Sequence, residues 1–388
     1  MMSIPHPQHI YSAAQLRDQV LDVLEPHLSW TTEGYRSHTR MTLDLRLKAA
    51  LEGVSLDAVC ADSHGVVSSN TLREQLTHAL EDMTVRQHEG EINAALAAAL
   101  PHGVPRNRVQ LALDWHDEPF YGKTPLLLSY TCRGQAKVGT TRFFRLASVY
   151  LIWRQVRLTL ALTYVMPEDS TEAVVERLLQ RLTRLGFHQT ILMMDKGFCS
   201  GAVIRLLQTH RQKAVIACPI RGKTGGTKAL CKRRRSYVTD YTFTDGTHVR
   251  LVVVATCVPN ASGKRRRKWL LFVTLGLSWS PQQVYQRYRR RFGIECSYRI
   301  LRQSRAFTNS RQPMLRFFLL GLALVLQNIW VLVRWFVARV PGRGLIRIDP
   351  TLFRFHCFKR LLVRAIESYY PVVTLILAYQ LPPQSVIH

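Results

Sequence analysis

Between Arg108 and Ile220, short β-like runs alternate with two amphipathic stretches, and this order restricts the fold more than any other feature of the chain. "RVQLALDWH", "FFRLASVYLIW" and "QVRLTLALTYV" read as strands, rich in β-branched and aromatic residues and bounded by polar segments. The closeness of the second and third predicts an antiparallel hairpin. "STEAVVERLLQRLTRLGF" reads as a helix that opens at Ser170 and closes at Gly186; the strand "QTILMMD", the helix "SGAVIRLLQTH" and the strand "KAVIACPI" follow. Two successive strand-helix-strand units impose parallel pairing. The expectation is an α/β fold with a mixed sheet flanked by helices.

The rest of the chain is arranged around this centre. At 388 residues it exceeds one typical core, so two or three domains are expected. Residues 1–105 read as helical, and "VSLDAVCADSHGVVSSNTLREQLTHAL" as two short helices joined by a Gly-containing turn. Ser69 or Asn70 would cap the second, with Leu72, Leu76 and Leu80 on one stripe and Arg73, Gln75 and Thr77 outward. That is a candidate helix-turn-helix for DNA; an ordinary helical hairpin fits equally. "LPHGVPRN" marks the boundary to a catalytic core over 106–310, within which about 219–278 is a β-rich basic insertion. From Pro281 a long helix is expected, "PQQVYQRYRRRFGIECSYRILRQSR". Residues 311–388 read as a helical region packed on the core, centred on Phe317 to Val333. Gln327 and Asn328 interrupt that apolar run and Arg316 and Arg334 bracket it, leaving it short of the roughly 20 residues a membrane span needs. A buried core helix is expected, and no membrane partner.

Charge narrows the partner. Lys and Arg number 53 against 26 Asp and Glu, a net +27, which attracts polyanions. The clusters Arg233, Arg234, Arg235 and Arg265, Arg266, Arg267 fall within the β-rich insertion, where they suit contact with a DNA backbone. The eight cysteines are scattered, without metal spacing, as in a reduced cytoplasmic protein lacking structural zinc. "MMSIPHPQHIYSAAQL" has neither the basic start nor the apolar centre of a secretory signal.

"RYRRRFGIECSYR", Arg287 to Arg299, sets one carboxylate, Glu295, among five arginines. At about 100° per residue Tyr288, Arg291, Glu295 and Arg302 share an arc of about 60° on a continuous helix. A hydroxyl, a carboxylate and two guanidinium groups on one stripe suit a phosphate chain and a metal beside it. As a plain surface residue, Glu295 would pair with Arg291 or Arg299, an interaction worth only about 0.2–0.5 kcal/mol.

The spacing Tyr-x2-Arg-x3-Glu-x6-Arg resembles the signature around the third acid of insertion-sequence transposases of the IS-four group, with Arg302 where the family usually has lysine. "LALDWHDEPFYG" is similar to the segment around the family's first acid, here Asp114, with Asp117 a rival. "ILMMDKGF" is similar to that around the second, Asp195, which could otherwise be a plain helix cap. The resemblance implies a ribonuclease-H-like core in which Asp114, Asp195 and Glu295 hold two Mg2+ ions, Mn2+ substituting. Asp114 would bridge the ions, Asp195 hold one and Glu295 the other, while Tyr288, Arg291 and Arg302 contact DNA. It further implies double-stranded DNA partners (element ends and target), cleavage with strand transfer, a homodimer and a nucleoid location. A nuclease without strand transfer, or a catalytically silent DNA-binding relative, are the alternatives. Lys196, next to Asp195, is left out of the catalytic set; His116 reads as structural and Cys296 as packing.

Overall fold

The computed structural model describes residues 12–29, 31, 34, 36–153, 156–223, 225–232, 235–259, 265–292, 300–340 and 347–373. The N-terminal part is helical, with α1 (Ala13–Leu24), α2 (Thr39–Glu52), α3 (Leu56–Ala61), α4 (Ser69–Glu81) and α5 (Val85–Ala98). Ser12, Ser55, Ser68 and Thr84 cap α1, α3, α4 and α5 by accepting a first-turn backbone N–H. The α4 cap is therefore one residue earlier than Ser69. Leu72, Leu76 and Leu80 are buried along one stripe, whereas Gln75 turns back to hydrogen-bond Ser37 at 2.9 Å.

The predicted alternation follows. After β1 (Gln110–Pro119) come one helical turn, α6 (Pro125–Leu128), then β2 (Cys132–Lys137), β3 (Thr140–Trp153) and β4 (Val156–Val165). Next are α7 (Thr171–Arg184), β5 (Ile191–Met194), α8 (Gly201–Thr209) and β6 (Lys213–Cys218), then β7 (Tyr237–Thr242), β8 (His248–Pro259) and β9 (Arg265–Leu275). Ser170 and Ser200 cap α7 and α8. Among the described residues the nine strands form one mixed sheet. β4 and β2 lie at different places along β3, and the order then runs β3-β1-β5-β6-β9-β8-β7. β1, β5 and β6 are parallel, as the two strand-helix-strand units require; β3 is antiparallel to β1.

Two features differ from the sequence reading. The strands of the basic segment extend the main sheet: β9 pairs antiparallel with β6 from Ala214↔Leu275 to Cys218↔Leu271. This satisfies the outer edge of β6 and carries Leu271, Val273 and Leu275 into the same core as Ala214 and Ile216. The long helix is the other. α9 (Pro281–Arg289) ends early in a tight 3-10 turn over Arg290–Phe292, and helix returns at 300–302.

One face of the sheet packs on α7 and α8 through Leu111, Leu113, Val149, Leu178, Met194 and Ile204. The other is covered by α9, where Val284 and Tyr288 meet Met193, Val215 and Phe272, and by a helical body. α10 (Pro313–Val337) and α11 (Phe355–Tyr369) share one core in that body with α1 to α5, together with Ala112, Phe144, Leu146 and Tyr164 of the sheet. By length and composition α10 could cross a membrane, with mean hydropathy 1.9, but 89% of its most apolar window is buried inside the protein.

Side chains seal the outer edge of β4. Thr159 N–H donates to Asn328 Oδ1 at 2.9 Å and its carbonyl accepts from Asn328 Nδ2 at 2.7 Å. Asn93 treats Leu162 in the same way, at 2.8 Å in both directions. Tyr164 N–H donates to Glu89 Oε2 at 2.8 Å. Fully buried Glu89 is neutralised by Arg86, at 2.7 Å, and by Arg181.

Candidate active site

Strand parity builds the site. Along β1, Leu111 and Leu113 face α7 and α8, so Ala112 and Asp114 face the opposite side. Along β5, Leu192 and Met194 face α7 and α8 and Met193 faces α9, which places the next residue, Asp195, on the α9 side as well. β1 and β5 are parallel and in register from Gln110↔Ile191 to Leu113↔Met194, so Asp114 and Asp195 are the next pair, where the strands part. β1 itself does not end at Asp114; its antiparallel pairing with β3 continues to Pro119.

Arg291, at the end of α9, reaches both. Its Nη1 donates to Asp114 Oδ2 at 3.1 Å and its Nη2 lies 3.6 Å from Asp195 Oδ1. Burial raises the Asp114 carboxyl above its ordinary value; Arg291 pulls it down and the neighbouring Asp195 charge pushes it up. Asp195 opens a 3-10 turn over Lys196–Phe198 but makes no side-chain cap there, so its carboxylate is not used as a helix cap.

Aromatic stacking fixes the loop beyond Asp195. Trp115 stacks on Phe198 with ring centroids 4.4 Å apart and planes 7° apart. Gly197 lies beneath the indole, and a Cβ there would be 3.0 Å from Trp115 Nε1. Asp117 has the parity of Trp115, opposite to Asp114, and pairs with Arg145 at 2.7 Å. His116 Nε2 lies 2.7 Å from Glu118 Oε1, and Arg305 also binds Glu118. Burial alone would raise the Glu118 carboxyl, but His116 and Arg305 outweigh it and hold it at about 2.

Asp114, Asp195, Trp115, Asp117 and Glu118 line an open cleft of about 1200 Å³ together with Arg302 and Arg305. Arg302 is exposed there. Tyr288 is not: it is buried, and its hydroxyl donates to the Met194 carbonyl at 3.2 Å. It therefore props the end of β5 and does not point at a phosphate, because the α9 face that carries it packs on Phe272, 4.8 Å away between ring centroids. β9 runs past the C-terminal end of β6, so its backbone from Arg267 back to Arg265 lies at the same end of the sheet as Asp195. Arg266 and Arg267 are exposed, as is Arg235. Glu295, Arg233 and Arg234 lie outside the described residues.

Residues 157–326 match a family model described as the transposase DDE domain. The match spans less than half of the chain, and it makes that segment similar to a transposase DDE domain. It runs from β4 into α10 and takes in Asp195, Arg291 and Arg302; Asp114 precedes it. No curated protein matches the chain.

The Asp114 and Asp195 carboxylates are the kind of donor a hard divalent cation takes. Two carboxylates converge on one positive group at the mouth of an open cleft, and magnesium typically binds through one or two carboxylates plus phosphate oxygens. Among the described residues no group of three or more His, Cys, Asp or Glu side chains is arranged to hold a metal.

The sequence missed Arg145, Glu118, Arg305 and the Trp115–Phe198 stack. The run "DWHDE" carried the only signal for them, a strand that turns polar while still paired.

Proposed function

We propose that the chain is a transposase of the insertion-sequence type, of the IS-four group, with a ribonuclease-H-like core. It would cut the ends of its element and join the released 3′-hydroxyl to target DNA. The observation that carries this reading is Arg291 spanning Asp114 and Asp195, residues far apart in sequence that meet where two parallel strands diverge. The strand order from β4 through β3, β1 and β5 to β6 agrees with the proposed core.

Asp114, Asp195 and Glu295 would hold two Mg2+ ions, with Mn2+ as a substitute. When bound, such ions activate the attacking oxygen and neutralise charge on the leaving one. The chain's own residues do the rest. Arg291 offsets the repulsion between the aspartates and is close enough to touch a phosphate lodged beside them. Trp115 stacked on Phe198 braces the loop that follows Asp195. Arg302 and Arg305, which line the same cleft as the acids, would grip the scissile strand. Arg235 and Arg265 to Arg267, with Arg233 and Arg234, would follow the duplex beyond it, and α3 and α4 would recognise the element end. A homodimer on paired ends in the cytoplasm, on the nucleoid, completes the proposal.

The test is joining of a labelled terminal fragment to plasmid in Mg2+. Asp114→Ala, Asp195→Ala and Glu295→Ala should each abolish it, and joining that survives all three removes the mechanism. Cleavage without joining would favour a nuclease.

A further inference from the structure

α2 runs through the centre of the helical body, buried from Met41 to Leu51, and still carries three charged side chains there. Burying a charge without a partner is costly, so each should find a counter-charge. Asp44 has one: Arg17 Nη2 lies 2.6 Å away. Lys48 has two, Glu367 at 3.3 Å and Asp62 at 3.8 Å. Arg46 is 5% exposed, and its Nε and Nη2 have no hydrogen-bond partner among the described residues. Burial pushes its guanidinium down to about 10.

Arg46 lines a cleft of about 1000 Å³ between α2, the start of α4 and the loop 307–310. Arg73, Ser69, Asn309 and Ser310 line it too. Its one lining carboxylate, Asp57, already accepts a hydrogen bond from Ser69 Oγ at 2.6 Å. Two guanidinium groups, hydroxyls and the positive end of a 13-residue helix converge on the same space. Gly53, Phe307 and Thr308 line both this cleft and the one holding Asp114 and Asp195, so the two adjoin. Phe307 stands 57% exposed between them, on a loop tied down by its N–H to Val54 O at 3.1 Å.

We propose that this second cleft is a phosphate-binding site, in which Arg46 and Arg73 take a backbone phosphate of the DNA strand that leaves the acid cleft past Phe307. The proposal rests on the DNA reading of the acid cleft. Phosphate is the favoured anion because forked guanidinium donors match its oxygens and because the neighbouring cleft is the one assigned to a phosphodiester chain.

The test measures binding of a labelled duplex oligonucleotide by the full chain in EDTA, across a series of NaCl concentrations, so that strand chemistry plays no part. Arg46→Met, which keeps the apolar stem, and Arg73→Gln should each weaken binding about tenfold and reduce the salt slope by about one. Unchanged affinity and slope in folded Arg46→Met overturns the proposal. Should that variant not fold, Asn309→Asp, which puts a negative charge on the exposed rim, takes its place: it should weaken binding comparably, and unchanged binding overturns the proposal. A second arm compares melting in sodium phosphate and in sodium chloride at equal ionic strength. Phosphate should raise Tm in the parent chain and not in Arg46→Met. If phosphate does so but the parent chain binds no DNA, the anion site stands while the DNA reading of the acid cleft falls.

Discussion

At the scale of single residues, the acids pull stability in opposite directions. Asp114 has its carboxyl raised by burial, so the folded state favours its protonated form. That preference is fully present below the ordinary carboxyl range and is lost as pH rises through the raised value, leaving a penalty at neutral pH. Asp114→Asn should therefore raise Tm at pH 7, with the gain shrinking in acid, while on the proposed reading strand cleavage should fall at least about 100-fold. Paired melting and cleavage assays check both halves. Glu118 is the reverse case, depressed from 4.5 to about 2. Its contribution is present above pH 4.5 and lost as pH falls through about 2, so Glu118→Gln should cost on the order of 3 kcal/mol at neutral pH. Denaturation curves for the two proteins should converge towards pH 2. Asp114 and Asp195 were legible in the sequence because each follows a short apolar run that could only be a strand. The burial of Tyr288 was not. A helical stripe gives the angle of a side chain but not which neighbour the stripe meets, and here the neighbour is Phe272 of the sheet.

At the scale of elements, the close approach of α5, α10 and β4 depends on two residues of α10. Asn328 replaces a missing strand partner for Thr159. Asn328→Leu should leave a buried N–H and C=O without partners, at about 1–3 kcal/mol each, read from chemical denaturation midpoints. At Gly321 a Cβ would lie 2.6 Å from Ile92 Cδ1, so Gly321→Ala should force α5 and α10 apart and cost about 1–3 kcal/mol. The same measurement checks it, and an additional Ile92→Val change should restore part of the loss. Strands and helices with a clear period were readable from sequence. β2, "CRGQAK", was not, because it has no apolar alternation and is held only by pairing with β3. The union of β6 with β9 was also hidden: hydrophobic pattern identifies strands, whereas which distant strand completes an edge is decided by the whole sheet.

At the scale of the whole molecule, the N- and C-terminal helices share a core that also takes in Ala112, Phe144, Leu146 and Tyr164 of the sheet. The fragment 106–310 should lose the cover over Phe144, Leu146 and Tyr164 and aggregate, while the full chain should melt in a single calorimetric transition. Two resolved transitions would show that the helical body folds apart from the sheet. With α10 buried in the helical body, the chain should purify without detergent, and sedimentation in plain buffer checks it. The clip on β4 has a bearing on assembly. Amides and ion pairs occupy its outer rim from Thr159 to Tyr164, so a second molecule cannot template itself on that rim by annealing a ribbon of its own. Any fibrillar stacking there would first have to peel off both α5 and α10.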